Sequence, residues 1–215
     1  MTHICNNYNI RAWFNPCGEV IIIRELEQRI LEEGQILPGE VLKVGSFLNQ
    51  QIDTKLLKDM GDEIARLYGS NNVTKVLTIE SSGIAIAFAA GLSMGIPVVF
   101  AKKHSTLNLS GNILTSQVYS YTHQQTYDIA VSSDYITSDD TVLIVDDFLA
   151  KGNALKGLIE IVNKAGAKLA GCAIAIEKGF QGGGDELRAQ GIRIESLAIV
   201  DKMTDNSLEF RPQQA

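Results

Sequence analysis

The sequence predicts an α/β fold, a mainly parallel central sheet flanked by helices. Two observations carry that reading. Short β-rich runs alternate with segments of helical periodicity, the order that builds a parallel sheet. One of these runs, TVLIVDD (Thr141 to Asp147), is apolar without a break until its two aspartates, as a strand covered on both faces must be.

From Arg24 the chain is regular. In RELEQRILEEG, Leu26, Ile30 and Leu31 have helical spacing, and Gly34 is placed to end the helix. In DTKLLKDMGDEIARLYG, Asp53 is the expected N-cap, and Leu56, Leu57, Met60, Ile64 and Leu67 form one stripe. KVLTIE (Lys75 to Glu80) is a short strand, IAIAFAAGLSMG a helix of small residues, and PVVFAKK (Pro97 to Lys103) a second strand. Thr141 to Asp147 is the third, followed by the helix ALKGLIEIVNKAG, the strand KLAGCAIAIEK, and then DELRAQG and RIESLAIV. No repeat, low-complexity tract or linker interrupts the pattern. Between Ser105 and Ile136 the alternation stops, in a stretch rich in Ser, Thr and Tyr. A long polar excursion inside an α/β domain is usually functional or mobile. It is expected to be a β-hairpin or flexible arm over the carboxyl edge of the sheet, either a lid or an edge hairpin with no further role.

Composition bounds the function. The 215 residues fit one domain, or one domain with a small appendage. A chain of this length buries roughly 70% of its unfolded surface and needs no disulfide or metal staple. A net charge of −6 argues against nucleic acid as a partner, since no basic field is available to displace phosphate counterions. Three cysteines (Cys5, Cys17 and Cys172), an odd number without CxxC spacing, read as reduced thiols of a cytoplasmic protein. His3 with Cys5 and Cys17 matches no zinc spacing. No apolar run approaches the ~20 residues of a membrane span. Residues 1–23 lack periodicity and are set apart as an N-terminal extension: an extra strand, a disordered arm or leader sequence. They make a poor signal peptide, because their longest apolar run is Val20 to Ile23 with no basic stretch before it. The domain proper is read as residues 24–215.

The chemistry is expected beyond the carboxyl ends of the strands, where open parallel sheets bind ligands. Three such ends are chemically loaded. Glu80, Ser81, Ser82 and Gly83 lie between a strand and a helix, where backbone N–H groups cradle anions. Lys102, Lys103 and His104 stand at the mouth of the polar arm. In VDDFLAKGNA, Asp146 and Asp147 precede a turn, Ala150 to Ala154, that can wrap a phosphate at a helix start. Two adjacent carboxylates repel and resist burial, so sugar hydroxyls or a hydrated Mg²⁺ should offset them. Each piece alone also has a plain structural reading, as a helix cap, an ordinary turn or a surface lysine pair. Their occurrence at successive strand ends of one pattern is harder to ascribe to chance.

VLIVDDFLAKGNA resembles the phosphoribosyl diphosphate (PRPP) signature of the type I phosphoribosyltransferases. With LKVGSFLNQQID, TIESSGIA, PVVFAKKH, VYSYT and IEKGFQGGGDEL in order, the chain from about Glu25 to Phe210 is similar to the xanthine branch of that family. The resemblance implies the type I phosphoribosyltransferase fold, with a small hood from residues 24–52 and the C-terminal part, and a flexible β-arm. It implies an enzyme of purine salvage, transferring 5-phosphoribosyl from PRPP to N9 of xanthine, with xanthosine 5′-monophosphate and diphosphate as products. Ala150, Lys151, Gly152, Asn153 and Ala154 would then hold the 5′-phosphate, and Asp146 and Asp147 the ribose hydroxyls. Glu80, Ser81, Ser82 and Gly83 match the diphosphate loop, where a cis peptide is implied. Lys102, Lys103 and His104 match the start of the mobile loop over the diphosphate. Leu42 and Asn49 match the base-binding hood, Lys178 the residue reaching the purine's exocyclic oxygen, and Phe148 a ring to stack on the base. Asp147 is the candidate catalytic residue. Mg²⁺ is implied with PRPP, without an assigned protein ligand, and a homodimer in the cytoplasm with no membrane or nucleic-acid partner is the expected state.

The sequence departs from the commonest phosphate loop. Lys151 precedes Gly152 and Ala154 closes the loop, so two side-chain hydroxyls are missing and binding must lean on backbone N–H groups, with Lys151 as the further candidate donor. A lysine beside the base favours an oxopurine, because adenine's amino group would face a like donor. Guanine or hypoxanthine as the base stays open at this point. So does a non-catalytic PRPP-binding regulator, although such proteins usually add a DNA-binding domain, for which the extension is too short. A dinucleotide-dependent dehydrogenase is disfavoured, since no GxGxxG follows a strand.

Overall fold

The structure, a computed structural model, describes residues 21–103, 112–120 and 125–212. Expectations for the extension up to residue 20, with His3, Cys5 and Cys17, and for His104 and the adjoining start of the arm, lie outside the described residues.

Helix α1 (Ile21–Glu33) begins three residues before Arg24, since nothing in Ile21–Ile23 breaks a helix. It leads into a small antiparallel hairpin, β1 (Gln35–Leu37) and β2 (Val41–Lys43), and a single π-helical turn, Gly45–Asn49. Asp53 caps α2 (Thr54–Tyr68) as expected, its carboxylate accepting from the backbone N–H groups of Lys55 and Leu56. Those hydrogen bonds, that to Leu56 foremost, hold the Asp53 carboxyl below its ordinary range. Strand β3 (Lys75–Ile79), helix α3 (Gly83–Met94) and β4 (Val98–Lys103) follow. After the hairpin β5 (Ile113–Ser120) and β6 (Gln125–Ser132) come β7 (Thr141–Leu149), α4 (Asn153–Lys164), β8 (Lys168–Lys178), α5 (Gly183–Ala189), β9 (Ile194–Met203) and β10 (Leu208–Phe210).

Eight strands form one sheet in the order β10-β9-β8-β7-β3-β4-β6-β5. The run from β9 to β4 is parallel; β10 and the β5–β6 hairpin add antiparallel edges. The unbroken apolar character of β7 has a direct cause. Leu143 and Val145 pack with Leu26, Met60, Ile64 and Ile86 from α1, α2 and α3. Val142 and Ile144 pack on the other face with Leu155, Leu158, Ile161 and Val162 of α4. Alternate side chains of one strand thus serve two cores.

The topology also sets the ligand cleft. From β3 the chain crosses by α3 outward to β4; from β7 it crosses by α4 in the opposite direction to β8. β3 and β7 are neighbours, so the winding reverses between them, and a crevice opens at their carboxyl ends.

The polar arm contains the expected hairpin, and of the two placements it takes the sheet edge. Its described part does not simply lie over the sheet but joins it: β6 pairs with the end of β4 at Lys102↔Ala130 and Lys103↔Ile129. Buried Val118, Ile129 and Val131 on the hairpin explain the annexation, since they cover the α4 side of the core.

Candidate active site

Strand β7 runs two residues past Asp147, so both aspartates are held on rigid backbone, and both are buried. Asp147 donates its N–H to Asp146 Oδ1 over 3.0 Å. Burial first, and then the Asp147 charge, push the Asp146 carboxyl well above its ordinary value. Asp147 Oδ2 accepts from Asn49 Nδ2 at 3.4 Å, which brings the π-helical turn against the acid pair.

The β3–α3 turn lies directly beside them. A Cβ on Gly83 would stand 2.3 Å from Thr78 Oγ1 and 2.7 Å from Asp146 Oδ1, so only glycine fits. The Thr78 hydroxyl is buried there without a hydrogen-bond partner among the described residues. The Glu80–Ser81 peptide is cis. Glu80 turns its carboxylate away from the turn's N–H groups, accepting from the backbone N–H of Lys103 at 2.6 Å and tying the ends of β3 and β4 together. Lys102 is half-buried and Lys103 exposed, its Nζ lying 5.5 Å from the centre of the Tyr127 ring. Burial, and then the Asp146 charge, push the Tyr127 phenol up.

Beyond β7 the turn Ala150–Gly152 enters α4, with Gly152 at φ 80° in the left-handed region that glycine tolerates. The Ala150 carbonyl accepts from Gly183 N at 3.2 Å, so the start of α5 buttresses the turn. Lys151 Nζ donates to the Gln181 carbonyl at 3.2 Å and Asn153 Nδ2 to the Tyr119 carbonyl at 2.9 Å. Each of these bonds uses one donor only, so the turn's main-chain N–H groups are joined by the remaining Lys151 donors as candidates for an anion.

A cleft of about 610 Å³ unites Asp146, Phe148, Ala150 to Ala154 and Lys178. Lys178 Nζ is half-buried, 5.7 Å from the centre of the Phe148 ring, and burial lowers its pKa while the Glu40 carboxylate opposes that. Glu80 to Gly83, Lys102 and Lys103 adjoin the cleft through the Gly83–Asp146 contact rather than lining it. Leu42 points its side chain into the core, because β2 alternates exposed Val41, buried Leu42 and exposed Lys43; only its main chain can face a ligand. Asn49 reaches the site through Asp147 alone. Sequence reasoning missed Thr78, Tyr127, the Gly39–Glu40 tip and Gln181. Tyr119 and Tyr127 stood in a stretch read as a lid or an edge hairpin without a role, and their place in the cleft depends on a cross-strand register invisible in one dimension. Among the described residues no group of three or more His, Cys, Asp or Glu side chains is gathered around a point where a metal could sit.

An open α/β sheet with its cleft at the switch point defines a class of proteins that bind small ligands beyond the strand ends. Residues 47–202 match the family described as the phosphoribosyl transferase domain. The xanthine phosphoribosyltransferase of Pseudomonas syringae pv. syringae is 53% identical over 186 residues, covering 86% of this chain and 98% of that protein. The one from Limosilactobacillus reuteri (strain DSM 20016) is 49% identical over 188 residues, 87% of this chain and 98% of that protein. Among solved structures, an adenine phosphoribosyltransferase from Giardia lamblia, complexed with 9-deazaadenine, aligns with a TM-score of 0.69 at 22% identity, over 82% of this chain and 96% of that one. The likeness to that structure is one of fold. The chain belongs to the phosphoribosyltransferase family of enzymes and has its type I fold.

Proposed function

We propose that this enzyme transfers the 5-phosphoribosyl group of PRPP to N9 of xanthine, giving xanthosine 5′-monophosphate and diphosphate in purine salvage. The observation that carries the reading is a single cleft lined by Asp146, the first of the buried acid pair, by a glycine-containing turn at a helix start, and by a half-buried lysine beside an aromatic ring; Asp147 adjoins it, hydrogen-bonded to Asn49, rather than lining it. Relatives at about half identity over nearly their whole length, named for xanthine, support the choice of base.

In this reading the N–H groups from Ala150 to Ala154 hold the 5′-phosphate, while Asp146 and Asp147 accept from the ribose hydroxyls. Lys178 donates to a purine oxo group over Phe148, and the amides of the Ser81–Gly83 turn at the α3 N-terminus take the diphosphate. Lys102, Lys103 and His104 start the loop that covers it. Asp147, held by Asn49, is the candidate for partial proton removal from the base. The reaction needs a stabilised leaving group, a fixed ribose and excluded water more than covalent help. Mg²⁺, if brought in with PRPP, would supply charge neutralisation at the diphosphate. The acid pair fits such a substrate-borne ion, because a cation beside Asp146 relieves the charge that burial opposes. The hood comprises residues 24–52 with the C-terminal part, its first helix reaching back to Ile21, and the arm read between Ser105 and Ile136, whose β5–β6 hairpin is anchored in the sheet, serves as the lid.

A homodimer belongs to the same proposal. Helix α3 is apolar on all sides, yet Phe88 is 59% and Leu92 70% exposed, one turn apart. Such a helix normally lies buried, and a second subunit would bury it. Cytoplasmic location rests on the cysteine count and spacing.

The test is nucleotide formation from Mg²⁺-PRPP with xanthine, guanine, hypoxanthine and adenine in parallel. Xanthine should give by far the highest kcat/KM. Preference for guanine or hypoxanthine would reassign the base, and PRPP binding without turnover of any base would replace the enzyme with a regulator.

A further inference from the structure

The tip of the β1–β2 hairpin is built in an unusual way. Gly39 and Glu40 both have left-handed backbone, at φ 83° and 62°. Glycine adopts this conformation freely and glutamate rarely. The turn aims the Glu40 main-chain carbonyl at Lys178, whose Nζ donates to it over 2.7 Å across 138 residues of sequence. The Glu40 side chain reaches the same neighbourhood, Oε2 accepting from Gln181 Nε2 at 2.7 Å. One residue of the amino-terminal segment therefore holds both the lysine at the end of β8 and the last residue of the turn that follows it. Glu40, Lys178 and Gln181 all line the cleft.

An ammonium group has three donors and no acceptor, on a stem that is flexible unless anchored. With one donor committed to the Glu40 carbonyl and the Phe148 ring nearby, the directions of the other two are restricted. We infer that Glu40 is a positioning residue for base recognition: pinned to Gln181, it holds Lys178 so that its two remaining donors face a carbonyl oxygen of an oxopurine in the cleft. This rests on the proposed role of Lys178. The Glu40 carboxylate also works against the loss of the Lys178 proton that burial promotes.

Steady-state kinetics of the full chain decides the matter, with KM for the base and for PRPP measured separately in Glu40→Ala, Glu40→Gln, Gln181→Ala, the Glu40→Ala/Gln181→Ala double variant and Lys178→Ala. Glu40→Ala should raise KM for the base about five- to tenfold, the worth of one hydrogen-bonded anchor, without a matching rise in KM for PRPP. Glu40→Gln keeps an acceptor oxygen at the same reach and should restore most of the loss. Gln181→Ala should reproduce the defect, and the double variant should be no worse than Glu40→Ala, because both remove one contact. Should Glu40→Ala fail to fold, Gln181→Ala tests the same contact from the other side. If Lys178→Ala weakens the base while the Glu40 and Gln181 variants do not, the inference falls and the Lys178 reading stands. If Lys178→Ala leaves the base unaffected, both fall. Equal rises in the two KM values would show a structural latch and would also overturn the inference.

Discussion

At Asp146 the sheet holds a carboxyl group where burial and a neighbouring carboxylate both oppose its charge. The consequence for stability has a definite sign. Below the ordinary value of 3.8 the group is protonated whether the chain is folded or not. As pH rises through that value the unfolded chain ionises readily and the folded chain resists, so stability is lost. Asp146→Asn, which keeps an acceptor for the Asp147 N–H, should therefore raise Tm at neutral pH by about 2–4 °C for each kcal/mol relieved. It should also cut nucleotide formation by roughly a hundredfold or more, since the ribose contact is lost. Calorimetry and the base assay together check this, and a lowered Tm would contradict it. Gly83→Ala tests the adjoining contact. Its methyl group would collide with Thr78 Oγ1 and Asp146 Oδ1, so kcat/KM should fall at least about tenfold as the acid pair shifts.

At the scale of elements, α5 is fastened to the sheet by an ion pair whose carboxylate is buried and whose guanidinium is half-buried. Arg188 donates to both oxygens of Glu177, at 2.8 and 2.6 Å, and Ser196 Oγ adds a third bond at 2.5 Å. Glu177 is fully buried, so Arg188→Ala strands a carboxylate and should cost about 3 kcal/mol in urea denaturation. The exposed Lys202–Glu209 pair is the control: Lys202→Ala should change stability by less than about 1 kcal/mol.

The same scale shows what could be read from the sequence. The long parallel strands and their helices were legible because burial on two faces leaves an unbroken apolar run, and because Asp53 marks a helix start chemically. The strands β1, β2 and β10, three residues each, are too short to show a period. The edge hairpin was one of two placements the sequence left open, and its register was illegible because only two β4 residues, Lys102 and Lys103, form the ladder to β6. The grouping of Asp146 with Ala150 to Ala154 was legible, being local in sequence. The Glu40–Lys178 and Asn49–Asp147 contacts were not, since their partners lie 138 and 98 residues apart in sequence.

For the whole molecule, the exposed apolar residues of α3 predict a particle of twice the chain mass in sedimentation equilibrium. Leu92→Glu should shift it toward the monomer, by placing a charge where a partner would exclude water. A monomeric parent protein would refute the dimer.

The central pairing of the sheet has a consequence for how the protein is made. β3 and β7 meet through Thr74 and Thr141, 67 residues apart, whose backbone and side-chain hydrogen bonds close the base of the ladder. At synthesis rates of about 5–20 residues per second, the early helices and β3 must wait several seconds or more for the strand that completes their core. During that interval the apolar β3 and α3 are exposed on a nascent chain, and loop closure over this distance precedes any gain from the sheet. A translating ribosome should therefore carry this chain in a chaperone-sensitive state until β7 has left the exit tunnel.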